Sequence, residues 1–521
     1  MKNLLITLLM MICIIGNTLA QVTFQKAFGG TGDDRVYSVQ QTSDGGYIIA
    51  GSTNIGGDYD IYFIKTTAEG DTLWTKTYGG AIVDEAFSVQ QTTDGGYIIV
   101  GVTQSPGPGQ SDVYLIKTTA IGDIMWTKKM GGTNEDLGWS VQQTTDGGYI
   151  ITGWTQSFGA GYFDVYLIKT SENGNTLWTK TYGGTNFDEG KSVKQTVDGG
   201  YIIAGSTNSF NGGVYLVKTT ANGDTLWTKT YGGTGSYDGY SVQQTNDGGY
   251  IITGQIENLG SGSWDIYLIK TTANGNTLWT KSFGGKGYDV GKSVSQTSDG
   301  GYIIAGLTNS FGAGGMDVYL IKTTANGDNL WTKTFGGAGN DWGNSVQQTK
   351  DGGYIIGGFT NSFGAGKEDF YLIKTDANGN TGCNQGNTLT ITSDPATKQT
   401  SASTITTTPA TISSTLATMI GSGGKITSLC LPTGMSELLP NSENINIYPN
   451  PVQDNVNISL QQNSKAALIR IYNICGALVR EALIKKGATI ISVSELTNGL
   501  YLYQIADISG NILETGKFMK K

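Results

Sequence analysis

The sequence predicts an all-β protein: a seven-bladed β-propeller whose last blade is completed by the N-terminal strand, followed by a small C-terminal β-sandwich. Three observations point there. The phrase DGGYIIAG returns seven times with small variations, placing Tyr47, Tyr97, Tyr149, Tyr201, Tyr250, Tyr302 and Tyr354 at spacings of 49 to 52 residues. A period of this length marks a repeat architecture. Each unit holds four short segments rich in β-branched and aromatic residues, with turn residues at their ends. Glycine is abundant, 79 of 521 residues, and only 14% are charged, which suits short strands and tight turns rather than helical bundles.

The chain opens on Lys2 and an apolar run from Leu4 to Ile15, then Gly16, Asn17, Thr18, Leu19 and Ala20. A basic start, a short apolar core and small exit residues form the pattern of a secretory signal peptide over 1–20, with cleavage expected after Ala20. The run is too short to cross a bilayer, and no later stretch reaches the roughly 18 to 20 apolar residues that a span needs. No transmembrane segment is therefore expected.

The propeller is expected over 21–380. In each unit SVQQT forms the first strand and GGYIIAG the second, joined by Asp-Gly, a strong tight-hairpin signal. DVYLIKT forms the third and LWTKTYGG the fourth, joined by turns such as TTANGDT. One blade cannot bury both its faces, so neighbours must stack and the ring must close. Trp74, Trp126, Trp178, Trp227, Trp279 and Trp331 supply six fourth-strand tryptophans, and the seventh unit lacks this strand. VTFQKAFGG at 22–30 has its pattern, with Phe24 at the tryptophan position, so the N-terminal strand is expected to complete the last blade.

The unit runs from a glycine-ended strand through a V-Y strand to a tryptophan strand, and in this it resembles the kelch-type propellers over about 22–380. The YLIKTTANGDTLW stretch is also similar to quinoprotein propeller repeats. Both resemblances imply the same fold, and neither carries over a catalytic residue.

Composition excludes several functions. There is no histidine, which removes Ser-His-Asp and Cys-His nucleophile systems and the usual zinc sites. A net charge of -9 argues against nucleic acid, which needs clustered Lys and Arg. No cofactor is expected, and the protein is expected to be a monomer. Asp34, Asp84, Asp136, Asp188, Asp289 and Asp341 follow the paired glycines, with Asp238 displaced by one in the fifth unit. These are expected to accept backbone N–H bonds in their own loops; a cation-binding ring is the alternative.

Strand alternation puts the first and third connections on one face and the second and fourth on the other. The first and third are tight and nearly invariant, while the others vary. The variable face carries the ligand candidates Trp139, Trp154, Phe163, Phe187, Tyr237, Trp264, Tyr288 and Trp342, among Asp, Asn and Gln residues. Aromatics beside amides and carboxylates suit a polysaccharide or protein ligand, and near-identical blades favour multivalent binding. The expected function is a binding module and not an enzyme. A carbohydrate-active enzyme using carboxylates on the same face and a structural surface-layer protein are the alternatives.

From Thr388 to Leu429, 20 of 42 residues are Ser or Thr, so 381–440 reads as an extended, glycosylatable spacer or as irregular strands. Export exposes the chain to oxidising surroundings. A Cys383–Cys430 disulfide would close a loop of nearly fifty residues and contribute roughly 4 kcal/mol; free thiols are the alternative.

The segment 441–521 alternates apolar residues between Gly turns, as a small β-sandwich does. YPNPVQD, the IY-x-x-x-G step from Ile471 to Gly476, the L-x-x-G-x-Y step from Leu496 to Tyr501 and the Lys-rich end closely resemble the C-terminal sorting domain of the type IX secretion system of Bacteroidetes. The family usually has Asp after I-Y, where this chain has Asn473. The resemblance implies export through the type IX machinery as partner, and a secreted or outer-surface location on a Gram-negative Bacteroidetes-type bacterium. It also implies loss of the sorting domain, with Cys475, to leave a mature chain from about Gln21 to the 430s.

Overall fold

The computed structural model describes residues 21–521 apart from 55–56, 105–109, 233–236, 259–262, 389, 394–397, 402–404, 408–411, 415–418, 422–424, 429–444, 449–452, 461–466, 474–477, 485–486, 498, 508–511 and 521. The expected signal peptide, Cys430 and Cys475 lie outside the described residues. No helix long and apolar enough to cross a membrane occurs among them, and every regular element is a strand. Two compact units divide at 430/431.

Among the described residues, the first unit forms seven five-stranded antiparallel sheets. The third shows the plan: Asp136–Gln143, Tyr149–Thr155, Asp164–Thr170 and Thr176–Gly183 pair in chain order. Its third strand is buried at every position, as expected of a sheet covered on both faces. The second strand of each sheet packs against the first strand of the next, and Tyr354–Thr360 of the seventh sheet packs against Asp34–Gln41 of the first.

The seventh sheet takes its fourth strand from the N-terminus. Phe24–Gly29 pairs antiparallel with Asp369–Thr375, with Phe24 opposite Lys374 and Phe28 opposite Phe370. Phe24 also does the work of the missing tryptophan. Trp74 lies over Gly122 in the turn of the following sheet, and Trp126 lies over Gly174; Phe24 covers Gly70 in the same way. Its ring meets Tyr47 at 6.1 Å, and the six Trp–Tyr pairs at the other junctions have centroids 5.9–6.2 Å apart.

The recurring SDGG and SVQQT phrases have distinct physical jobs. In the first, Gly45 turns with φ +88°, and a Cβ on Gly46 would stand 2.1 Å from Thr66 O. Both positions therefore need glycine. The Asp44 carboxylate accepts bonds from the Thr42 hydroxyl and the Gly46 N–H and pairs with Lys65, a contact of 2.8–3.0 Å repeated in all seven sheets.

SVQQT stitches neighbouring sheets along their inner strands. Its Ser Oγ accepts the Val N–H of the next sheet at all seven junctions, the last from Val39 to Ser345. Its second Gln accepts an N–H from the neighbouring turn at all seven, ending with Lys350 to Gln41. The first Gln makes a third set at five junctions: Gln40, Gln90, Gln142, Gln243 and Gln347 accept from the next inner strand at 2.6–2.9 Å. Lys194 and Ser295 replace the other two.

The Ser/Thr-rich segment is built into the first unit as its fifth strands. Gln385–Asn387, Ile391–Ser393, Lys398–Ser401, Ile405–Thr407, Ile412–Ser414, Met419–Gly421 and Lys425–Ser428 pair with the outer strands of sheets six, five, four, three, two, one and seven in turn. The segment thus runs backwards past every sheet and covers an outer edge at each one, where unpaired backbone groups would otherwise be open to another chain. Cys383, at its start, is disulfide-bonded. Its carbonyl accepts a bond from the Gln25 side chain at 2.6 Å, and the neighbouring Lys26 pairs with Ser428 at the segment's far end.

The second unit has a three-stranded sheet (Ile445–Tyr448, Asn455–Leu460, Gly487–Ser492) and a four-stranded one (Leu478–Ile484, Ala467–Asn473, Gly499–Asp507, Ile512–Lys520). Val456, Ile458 and Ile491 of the first share one core with Ile469, Ile471, Tyr501, Ile505 and Phe518 of the second. This is the two-sheet packing expected from the alternating sequence.

Candidate ligand-binding face

Each inner strand carries a β-bulge at the same place. In the third sheet Gly138 pairs with Gly153 and Ser140 with Thr152, leaving Trp139 as the extra residue. The equivalents are Tyr37, Phe87, Lys191, Tyr240, Lys292 and Asn344. Bulges re-aim side chains, and here successive sheets bring theirs into contact. Tyr37 meets Phe87 edge-on at 5.1 Å, and Phe87 meets Trp139 at 4.3 Å. Lys191 and Lys292 both sit over the Tyr240 ring, at 4.5 and 3.8 Å. Burial, reinforced by the nearby Lys191 charge, pushes the Lys292 ammonium down to about 8.

A cleft of about 450 Å³ opens where the third and fourth sheets meet, lined by Trp154, Phe163, Phe187, Asp188, Glu189, Ser206, Asn208 and Asp238, among others. Trp154 stands edge-on to Phe163 at 4.3 Å, and Phe163 is 4.9 Å from Phe187. Tyr162 stacks on Phe187 at 5.5 Å with only 12° between the planes. Tyr162 and Phe187 are 71% and 45% exposed, so the aromatic wall continues onto the surface. The polar side has Glu189, paired with Lys191 at 2.9 Å, and Asp238, which accepts a bond from Gln255 Nε2 at 2.6 Å. The Ser206 hydroxyl is buried with no hydrogen-bond partner among the described residues.

The eight sequence candidates separate into groups. Trp154, Phe163 and Phe187 share the cleft. Trp264 and Tyr288 meet at 6.3 Å, and the Tyr288 hydroxyl bonds Gln255 Oε1 at 3.4 Å, which connects this pair to Asp238. Trp342 stacks on Phe359 at 5.1 Å, and Trp139 belongs to the bulge residues. Tyr237 is buried at 8% exposure in a core cluster with Tyr231 and Tyr267, so its ring is part of the scaffold. Sequence reasoning missed Tyr162, although the doublet Tyr162-Phe163 is a signal. It also missed Tyr37, Phe87, Lys191, Tyr240 and Lys292, which aligning the residue before SVQQT across the copies would have gathered.

The repeated aspartates are held as loop anchors. Asp34, Asp84, Asp136, Asp188, Asp289 and Asp341 each accept the N–H of the glycine four residues earlier, at 2.7–2.9 Å. Several also take a serine hydroxyl, as Asp188 does from Ser209 at 2.5 Å. Each stands near a second buried aspartate at the start of a third strand: Asp164 Oδ1 and Asp188 Oδ2 both crowd the face of Gly183 where a Cβ would project. Burial raises the carboxyls of Asp34, Asp136, Asp188 and Asp289, and it pushes Asp84, Asp164 and Asp317 up to about 6, each further raised by its neighbouring aspartate. At one junction both acids are absent together, replaced by Gly213 and Tyr237, whose ring fills the space beside Gly232. Among the described residues no cluster of three or more acidic or cysteine side chains is arranged to hold a metal.

Residues 446–521 match the secretion system C-terminal sorting domain. This is a type IX sorting domain, and it marks the chain for export through that machinery to the surface of a Bacteroidetes-type bacterium. No curated protein matches the chain. Among solved structures, the extracellular domain of a putative hybrid two-component system from B. thetaiotaomicron aligns at 10% identity and TM-score 0.40, covering 94% of this chain and 57% of that one. PorZ, a surface component of the type IX secretion system of Porphyromonas gingivalis, aligns at 12% identity and TM-score 0.37, covering 95% and 60%. The chain thus spans less than two thirds of the length of both.

Proposed function

We propose that the exported protein is a surface binding module built on a closed, kelch-like seven-bladed β-propeller, and that its ligand is a polysaccharide held on the variable-loop face. The closed ring is supported by the two hydrogen-bond sets that pass through all seven junctions and return from the seventh sheet to the first. The observation that carries the ligand assignment is the cleft of Trp154, Phe163 and Phe187 faced by Glu189, Asn208 and Asp238. Flat aromatic rings cover the apolar faces of sugar rings, while carboxylates and amides receive their hydroxyls. The exposed Tyr162–Phe187 stack extends that platform toward a longer chain. The module is not an enzyme in this reading.

One observation favours a second reading. Glu189 and Asp238 are two carboxylates in one aromatic cleft, the general requirement for glycoside hydrolysis. One experiment separates the two. The secreted protein and its Trp154→Ala, Trp264→Ala variant are tested against plant, algal and microbial polysaccharides, with reducing-sugar release followed in parallel. Saturable binding weakened at least tenfold by the variant, without sugar release, is the expected result. Sugar release lost in Glu189→Gln would replace binding by catalysis, and silence on every glycan would overturn both.

A further inference from the structure

The inner strands enclose an axial cavity of about 380 Å³, lined by the Ser, Val and Gln positions of SVQQT and by Lys194 and Ser295. Its chemistry follows from the stitching between sheets. A backbone N–H can only donate, so at five junctions the glutamine oxygen must turn toward the next strand. The amide NH2 groups of Gln40, Gln90, Gln142, Gln243 and Gln347 are then left facing the cavity, and none has an acceptor among the described residues. At the fourth sheet Lys194 stands in the glutamine position. It is the single charged residue of the lining and has no ion pair or hydrogen bond among the described residues. An ammonium cannot accept the Gln244 N–H that a glutamine there would take, so that N–H also lacks its side-chain acceptor. Ser295, too short to reach, leaves Gln348 in the same position and widens the cavity on that side. The result is a polar chamber in which five amide NH2 groups surround one unpaired lysine, whose ammonium burial pushes down.

We infer that the axial cavity binds an oxyanion, a carboxylate or sulfate-type group, seated between the Lys194 ammonium, the Gln244 N–H and the facing amide NH2 groups. Such a group supplies the acceptors that the lining lacks, and charge-assisted bonds of this kind are the strong ones. Lys191 and Lys292, bulged on the same two sheets that depart from the glutamine pattern, stand about three residues, roughly 10 Å, toward the variable face. They place two further lysines on the side from which a ligand would enter, Lys191 there paired with Glu189. The inference is independent of the aromatic cleft.

The test is calorimetry and thermal shift on the secreted protein with sulfate and glucuronate at constant ionic strength, against chloride as reference. Saturable binding of at least one is expected. Lys194→Gln should lose tenfold or more in affinity while folding at least as stably as the parent, because the new side chain restores an acceptor for Gln244. Lys286→Gln, an exposed change of equal charge, should bind as the parent does. A preference for glucuronate assigns a carboxylate-bearing sugar, and a preference for sulfate assigns a free or esterified sulfate. Equal binding by Lys194→Gln and the parent, equal loss in Lys286→Gln, or a response no greater than that to chloride would each overturn the inference.

Discussion

Replacing Phe24 with alanine tests whether the N-terminal strand carries the junction between the seventh and first sheets. The side chain is 4% exposed, stands edge-on to Tyr47 at 6.1 Å and covers the turn at Gly70. Truncating a buried phenylalanine removes its transfer free energy and leaves a cavity, together about 3 to 5 kcal/mol. The lost ring pair accounts for roughly 1 kcal/mol of that. Collapse is hindered here because the ring is wedged between two strand edges and a turn that needs glycine. Urea unfolding followed by tryptophan fluorescence should therefore show a fall of about 4 kcal/mol with an unchanged slope. Leu226→Ala, at 55% exposure on an outer strand, should stay within about 0.5 kcal/mol. A loss below about 1 kcal/mol for Phe24→Ala would mean that the first and seventh sheets hold together without the terminal strand, and the account of that junction would fail.

The buried carboxyls give the stability a pH dependence with a definite sign. Asp84, Asp164 and Asp317 rise from an ordinary value of 3.8 to about 6 through burial, so the folded state holds protons that the unfolded chain has released. Stability is then highest below about pH 4 for these groups and is lost as pH rises through about 6; each contributes on the order of 3 kcal/mol. The melting temperature should accordingly be higher near pH 5 than near pH 7.5, and a flat or inverted profile would contradict the assignment. Asp164→Asn should raise the melting temperature near pH 7.5 and flatten the profile, since an amide keeps the backbone bonds from Ala160 and Gly161 without a buried charge. The turn aspartates work oppositely: burial opposes their charge, but bonds from Thr, Lys and Gly hold Asp247 and Asp299 at about 2, so their contribution persists until strongly acid pH. Cys383→Ser should lower the melting temperature by several degrees under oxidising conditions and leave it unchanged under reducing ones.

The repeat itself was legible because each unit restates the same turn chemistry: Gly45 and Gly46 have no substitutes, and their recurrence marks the hairpins. Phe24 could be placed for the same reason, by the absence of a seventh tryptophan. The fifth strands were hidden because their segment looks like low-complexity sequence. Its signal is a second period: Ile391, Lys398, Ile405, Ile412 and Met419, seven residues apart, each stand opposite the glycine that ends a fourth strand. Composition masks that rhythm, since the residues between are nearly all Ser, Thr and Ala. The ligand face was legible as a list of aromatics but not as a site. Trp154 and Phe187 come from neighbouring sheets, and only the packing of one sheet on the next decides that they meet. Tyr237 misled because it occupies the position of an aspartate, and the compensating change, Gly213, lies in a different repeat.

The reversed course of the segment from Gln385 to Ser428 has a consequence for assembly in time. The residues that seal the outer edges come last in the first unit and immediately before the sorting tail, so a chain leaving a pore N-terminus first arrives with its sheets unfastened. In chain order its strands pair with the sixth sheet first and the seventh last, ending on the strand that began the chain, where Ser428 stands opposite Lys26. Proteolysis beyond 430 would then leave the strap intact, whereas a nick between Met419 and Lys425 would free its end from the one junction made by both termini of the unit. The sorting tail is thus attached at the last knot of the lacing, where its removal disturbs least.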